Sequence, residues 1–144
     1  MDIAVALLAR RDYSRSELCA RLTDKGFAKV DIEQLADKLA AQGIIDDKRY
    51  AATLIRSQIS KGHGPARIRQ TGLQKGLPKS CIEAALDIAD CDWVDLARQR
   101  IQKKYAMTDG TIDAKERAKR IRHLLGQGFS YDQIAAALDY DPYE

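Results

Sequence analysis

Gly26-Phe27-Ala28-Lys29-Val30-Asp31-Ile32 returns as Gly76-Leu77-Pro78-Lys79-Ser80-Cys81-Ile82, and again as Gly128-Phe129-Ser130-Tyr131-Asp132-Gln133-Ile134. The copies start 50 and then 52 residues apart. Each glycine follows a basic amphipathic stretch and is placed to end a helix, because glycine accepts the left-handed conformation at low cost. The apolar residue after it can fold back on the last turn. Each isoleucine then opens a short apolar helix, and Leu35, Leu86 and Leu138 follow it by about one helical turn. The pattern predicts an all-α chain of three tandem three-helix units, over 1–45, 46–91 and 92–144.

The segments between these stops support the division. Ser14 with Glu17 forms a capping box that opens a helix carrying Leu18 and Leu22. Ile32, Leu35 and Leu39 line the next helix, which Gly43 ends. Asp46 caps a helix that runs to about Ser60, with Tyr50, Leu54 and Ile55 as its apolar stripe. Gly62-His63-Gly64 breaks the chain, and Pro65 suits the first turn of another helix, where its missing N–H is unneeded. A unit of about 45 residues is too small for much independent stability. The units are therefore expected to lean on one another in an elongated, curved row. Gly43-Ile44-Ile45 and Cys91-Asp92-Trp93 leave little slack as connectors. Trp93 is placed at the second seam; stacking on a nucleic-acid base is the alternative reading.

Composition excludes several classes. With 9 Gly and 3 Pro in 144 residues, there is too little turn punctuation for an all-β fold. No apolar run is long enough for a transmembrane helix. The first residues place Arg10 and Arg11 after the apolar stretch, the reverse of a signal peptide, so a cytoplasmic protein is expected. Cys19, Cys81 and Cys91 form no C-x-x-C pair and have no histidine at ligand spacing, so buried or inert thiols are expected, with neither disulfide nor metal.

Charge is unevenly spread. Residues 1–47 sum to −2, residues 48–91 to +5 and residues 92–144 to zero. The middle third is thus the electropositive part, which suits an anionic partner or a set of solvated helix faces. Enzyme chemistry finds little support. There is no phosphate loop, and Gly62-His63-Gly64 lacks the strand and later glycine that one requires. Asp46-Asp47 has no further carboxylates after it in 48–82 to complete a metal site, and reads as a cap and a helix-dipole charge. No catalytic residue, metal or cofactor is assigned.

The stretch 43–77 is the most distinctive. It reads Gly43-Ile44-Ile45-Asp46-Asp47-Lys48-Arg49-Tyr50-Ala51, then Arg56, then Lys61-Gly62-His63-Gly64-Pro65-Ala66-Arg67-Ile68-Arg69-Gln70, then Gln74-Lys75-Gly76-Leu77. This closely resembles the RecX family of recombination regulators. The resemblance continues through Asp92-Trp93, Leu96-Ala97-Arg98, Lys103-Lys104-Tyr105 and Gly126-Gln127-Gly128-Phe129, and so covers nearly the whole chain. Thr71-Gly72 departs from the family's usual Glu-Leu. A glycine inside a helix costs about 1 kcal/mol relative to alanine, and an apolar anchor is missing that Leu73 is expected to replace in part. The chain also starts almost at its first helix, with little or no leader.

The resemblance implies a non-enzymatic protein of tandem three-helix units resembling helix-turn-helix domains, and a monomer is expected. It implies binding to the RecA recombinase and its filament on single-stranded DNA, with restraint of ATP hydrolysis, strand exchange and co-protease activity. Recombination and the SOS response would be tuned in this way. Candidate contacts to RecA or DNA are Lys48, Arg49, Arg56, Lys61, Arg67, Arg69 and Lys75. Arg49 and Arg56 are seven apart and share a helix face; Arg49 could instead pair locally with Asp46. Gly43, Asp46, Asp47, Tyr50, Gly62, Gly64, Pro65, Ile68, Gly76 and Trp93 are assigned to the framework. Two other functions fit the same residues: a DNA-binding module acting without RecA, through weak, sequence-tolerant phosphate contacts on single or double strands, and a helical scaffold for another protein.

Overall fold

Local capping chemistry divides the chain into its helices. In the computed structural model, which describes residues 2–105 and 113–139, the order is α1 (Asp2–Arg10), α2 (Arg15–Asp24), α3 (Lys29–Ala41), α4 (Asp47–Ser60), α5 (Pro65–Gln74), α6 (Lys79–Ala89), α7 (Trp93–Lys104), α8 (Ala114–Gly126) and α9 (Tyr131–Leu138). No strand occurs among the described residues. Residues 106–112 and 140–144, assigned to the third unit, lie outside them. The anticipated capping box closes: Glu17 N–H donates to Ser14 Oγ at 3.1 Å, and Ser14 N–H donates to Glu17 Oε1 at 3.1 Å. Ser130 and Gln133 form the same box before α9, a pairing that sequence reading passes over.

Each group of three helices has its own core. Leu18, Leu22, Ile32, Ala36 and Leu39 fill the first. Ala51, Ile55, Ile68, Ile82 and Leu86 fill the second, and Ala97, Ile101, Leu124, Phe129 and Ile134 the third. Trp93 packs against both the second and third cores. Gly72 departs from expectation. Leu73 is 56% exposed and replaces no anchor. Ile82 fills the space instead: a Cβ on Gly72 would lie 2.7 Å from Ile82 Cδ1. The glycine lets α6 approach α5 closely, so the missing side chain is made up from the facing helix.

Helix ends make the seams between repeats, through side chain to backbone bonds at the first and backbone to backbone bonds at the second. At the first, Ser14 Oγ donates to Lys75 C=O at 2.5 Å, and Arg15 N–H donates to Asp47 Oδ1 at 2.9 Å. At the second, Gly64 N–H donates to Gln127 C=O at 2.7 Å, and Ala66 N–H donates to Gly128 C=O at 3.0 Å. The two joints match. The turn closing the second helix of one repeat presents carbonyls to the start of the second helix in the preceding repeat. Helix ends carry unsatisfied acceptors and donors of opposite partial charge, and the joint pairs them. Close approach requires glycine. A Cβ on Gly128 would lie 2.5 Å from Arg67 Cβ and N, and one on Gly64 would lie 2.5 Å from the Gly128 carbonyl. Gly26, the equivalent of Gly128 in the first repeat, has nothing within 4 Å. Its neighbour Phe27 is 41% exposed, whereas Leu77 and Phe129 are 3% and 2% exposed.

Gly26 and Gly128 have nearly equal φ, +93° and +98°. Alanine at either position carries the same left-handed strain, about 1–2 kcal/mol. Only at Gly128 does it also collide with the neighbouring repeat. Gly128→Ala is therefore expected to lose about 1–3 kcal/mol more than Gly26→Ala, the range for overpacking a tight contact. Urea unfolding followed by circular dichroism checks this, and equal losses would refute a close-packed second seam.

Candidate functional site

The basic residues of the middle repeat separate into two groups by their partners. Arg49 is structural. Its guanidinium donates to Gly43 C=O at 3.0 Å and to Ile44 C=O at 3.1 Å, tying the end of α3 to the start of α4. Asp46 does not pair with that guanidinium; its carboxylate accepts from the N–H groups of Lys48 and Arg49, at 3.0 and 3.2 Å. Arg69 is also engaged, with Nε donating to Glu83 Oε1 at 2.6 Å across α5 and α6. That partner holds the Glu83 carboxyl below its ordinary range. Lys75 caps the end of α5, and its carbonyl belongs to the first seam.

The remaining cations have no carboxylate partner among the described residues. Lys48 and Arg56 flank an open cavity of about 510 Å³ between α4 and α6, with Ala52, Ile59, Cys81 and Ile88 among its lining. Arg56 has only a weak bond to Thr53 Oγ1 at 3.4 Å. Lys61 ends α4, and Arg67 stands in the first turn of α5 beside Gly128. These two belong to the second seam.

The third repeat adds cations there that sequence reasoning does not select. The Arg100 side chain lies over Gly62; a Cβ on that glycine would meet Arg100 Cδ at 2.9 Å. Lys104 Nζ donates to His123 Nδ1 at 3.2 Å. That bond leaves the imidazole proton on Nε2, which is buried and has no acceptor. Arg100 Nε and Gln127 Oε1 are likewise buried without partners. His63 Nδ1 meets Gln58 Oε1 at 2.5 Å, so Nδ1 carries the proton there. Burial, then Arg67, Lys61 and Arg100, lowers the His63 pKa from its ordinary 6.5. Burial, then Lys104 and Arg100, lowers that of His123. Arg100 thus acts on both rings. The only sequence signal for this convergence is the Gly62-His63-Gly64 loop, whose glycines demand a close neighbour. Which neighbour that is depends on residues about forty positions away.

No group of three or more potential metal ligands occurs among the described residues. The three cysteines are free thiols, and burial pushes Cys19 and Cys91 up, towards the neutral form. No helix among the described residues is long and apolar enough to cross a membrane.

Three family models match the chain. They are described as the first, second and third three-helix domains of RecX, over residues 1–39, 46–86 and 90–138. The chain belongs to the RecX family. Among RecX relatives, the regulatory protein RecX of Shewanella oneidensis is 51% identical over 123 residues, covering 76% of this chain and 97% of its own. That of Vibrio campbellii is 39% identical, covering 97% of this chain and 90% of its own. The crystal structure of RecX from Lactobacillus salivarius superposes with a TM-score of 0.81 at 25% identity, covering 96% of this chain and 93% of that one. The RecX fold therefore holds for this chain, and both relatives carry the name of regulatory proteins rather than enzymes.

Two outcomes follow from the geometry. Arg49→Ala is expected to cost about 1 kcal/mol of stability, the worth of its two exposed charge-assisted bonds to carbonyls. Chemical denaturation measures this; an unchanged midpoint would remove its capping role. The histidines set a pH dependence. Their folded pKa values are depressed, so the unfolded chain takes up protons first as pH falls. Their stabilisation is complete above about 6.5 and declines as pH drops below it. The melting temperature should fall between pH 7.5 and 5.5, and less steeply in the His63→Gln, His123→Gln double variant. Identical slopes in the two proteins would contradict this. Glu83, held low by Arg69, loses its contribution only below its ordinary 4.5, outside that window.

Proposed function

We propose that the chain binds the RecA recombinase on single-stranded DNA and restrains its ATP hydrolysis, strand exchange and co-protease activity. The observation that carries this reading is the RecX match along all three repeats, supported by relatives named as regulatory proteins. In this reading the protein is a cytoplasmic, non-enzymatic monomer that needs no cofactor. Its middle repeat is hydrogen-bonded to both neighbours, to the third by backbone pairs and to the first through Ser14 and Asp47 side chains, so a row of helices meets the filament in a fixed relation. Such a row can touch more than one recombinase protomer. It biases the filament only through different affinities for the filament's states.

The surface assigned to the filament contains Lys48, Arg56, Lys61, Arg67 and Lys75. Arg49 and Arg69 are given a lesser part in it, because each guanidinium already bonds within the protein. Arginine suits acidic side chains and phosphates alike, since its fork is planar and permanently charged. A second reading, DNA binding without the recombinase, is favoured by one observation: Lys61, Arg67, Arg100 and Lys104 lack carboxylate partners among the described residues.

ATP turnover by the cognate recombinase on single-stranded DNA should fall as this protein is added, at or below one molecule per protomer. Lys48→Glu with Arg56→Glu should weaken the effect more than Lys29→Glu with Lys38→Glu, an equal charge change on α3. Unchanged turnover together with no filament binding would defeat the reading. Equal losses from the two folded double variants would remove the privilege of the middle repeat.

A further inference from the structure

The seam between the second and third repeats collects positive charge without an answering anion. Lys61 and Arg67 come from the middle repeat, Arg100 and Lys104 from the third. All four lack a carboxylate partner among the described residues, while Glu116 is engaged by Arg120 at 3.4 Å. Two buried donors in this neighbourhood, Arg100 Nε and His123 Nε2, have no acceptor. A buried donor left unpaired loses its hydration without return, and like charges gathered at a seam repel. An arrangement that pushes the repeats apart is nevertheless held together by two backbone bonds and Trp93. A bound anion resolves both penalties at once. It supplies acceptors to the orphan donors and charge to the cations.

The chemistry of the walls identifies the anion. Guanidinium and ammonium groups can only donate, and the unpaired His123 Nε2–H adds one further donor, the set that suits phosphate oxygens. Next to the seam, Arg67, Gln70, Thr71, Gln74 and Gly128 line a polar hollow of about 420 Å³ between α5 and α8, so the approach is wet and wide. We propose that this seam is a phosphate clamp: a phosphodiester of single-stranded nucleic acid seats against Arg100, Lys104, Lys61 and Arg67 and fastens the two repeats together. The assignment rests on the second reading, DNA binding without the recombinase, and gives it a seat at one seam; it does not depend on the recombinase reading.

Two measurements on the full-length protein test the clamp. In the first, a fluorescein-labelled oligonucleotide of twenty thymidines is titrated at several salt concentrations and followed by anisotropy. Arg100→Gln with Lys104→Gln should weaken binding at least tenfold at low salt. It should also flatten the log–log salt slope by about 0.7 for each single-strand phosphate that the variant no longer neutralises. Lys29→Gln with Lys38→Gln, the same charge change on the first repeat, should change affinity less than twofold. In the second, melting temperature is compared in sodium phosphate and in sodium chloride of equal ionic strength. Phosphate should raise it in the wild type and not in Arg100→Gln, while Arg100→Lys keeps part of the rise. A phosphate effect without oligonucleotide binding would overturn nucleic acid as the source. Equal losses from the two double variants, or no phosphate effect in a folded wild type, would overturn the clamp itself. Neither result bears on whether recombinase turnover falls.

Discussion

The structure depends on one repeated joint, in which the carbonyls at the end of a second helix meet the start of the second helix in the preceding repeat. Lys75 C=O accepts from Ser14 Oγ, and Gln127 and Gly128 C=O accept from Gly64 and Ala66 N–H. These groups belong to helix ends and would otherwise turn to water. Joining them satisfies donor and acceptor together and aligns opposite ends of two helix dipoles. Distances this short leave no room for a Cβ, so glycine is needed twice over: for positive φ in the turn, and for the approach of the neighbouring chain. At Gly26 only the first requirement applies. The same residue therefore has different energetic weight in each repeat.

Much of this is legible in the sequence, because helix ends are decided locally. A glycine at a turn, a serine with a glutamate three residues on, and an isoleucine at fixed offset need no knowledge of the rest of the chain. Three copies of that grammar place the helices. The site is less legible, because charge in sequence is not charge in space. Read along the chain, Arg49 and Arg69 are two available cations. In the fold, one spends its guanidinium on the end of α3 and the other on Glu83. Arg100 and Lys104 lie in a third of the chain whose net charge is zero, and no local feature singles them out. Gly72 shows the same limit from the apolar side. A missing anchor within α5 reads as a deficit until Ile82 of α6 is seen to occupy the space.

The segment with the most distinctive sequence has a structural role that motif reading does not assign. Lys61-Gly62-His63-Gly64-Pro65 looks like a binding loop, and it is the place where the third repeat docks. Gly64 receives Gln127, Gly62 lies beneath Arg100, and Pro65 is buried at the first turn of α5. Such a stretch can be tightly constrained by the joint alone. Yet a joint is also where side chains from two repeats can be brought together with the least conformational freedom. Docking Gly62 against Arg100 fixes the aliphatic part of that side chain and leaves its buried Nε unpaired.

This link between joint and charge bears on how a slender row of helices can act on a larger assembly. Three small repeats connected by loose linkers would each bind separately and lose much of their orientational freedom on binding. Hydrogen bonds between helix ends at both seams remove that freedom beforehand. The cations at the second seam then oppose the joint through their mutual repulsion, and together with burial they disfavour protonation of the two imidazoles beside them. The seam is consequently held by short-range packing against a long-range electrostatic penalty. Salt screens the second much more than the first. Anything anionic that settles there reverses the sign of the electrostatic part while leaving the packing intact. An anion seated as proposed would therefore tighten the relation between the middle and third repeats without altering the contacts that set it.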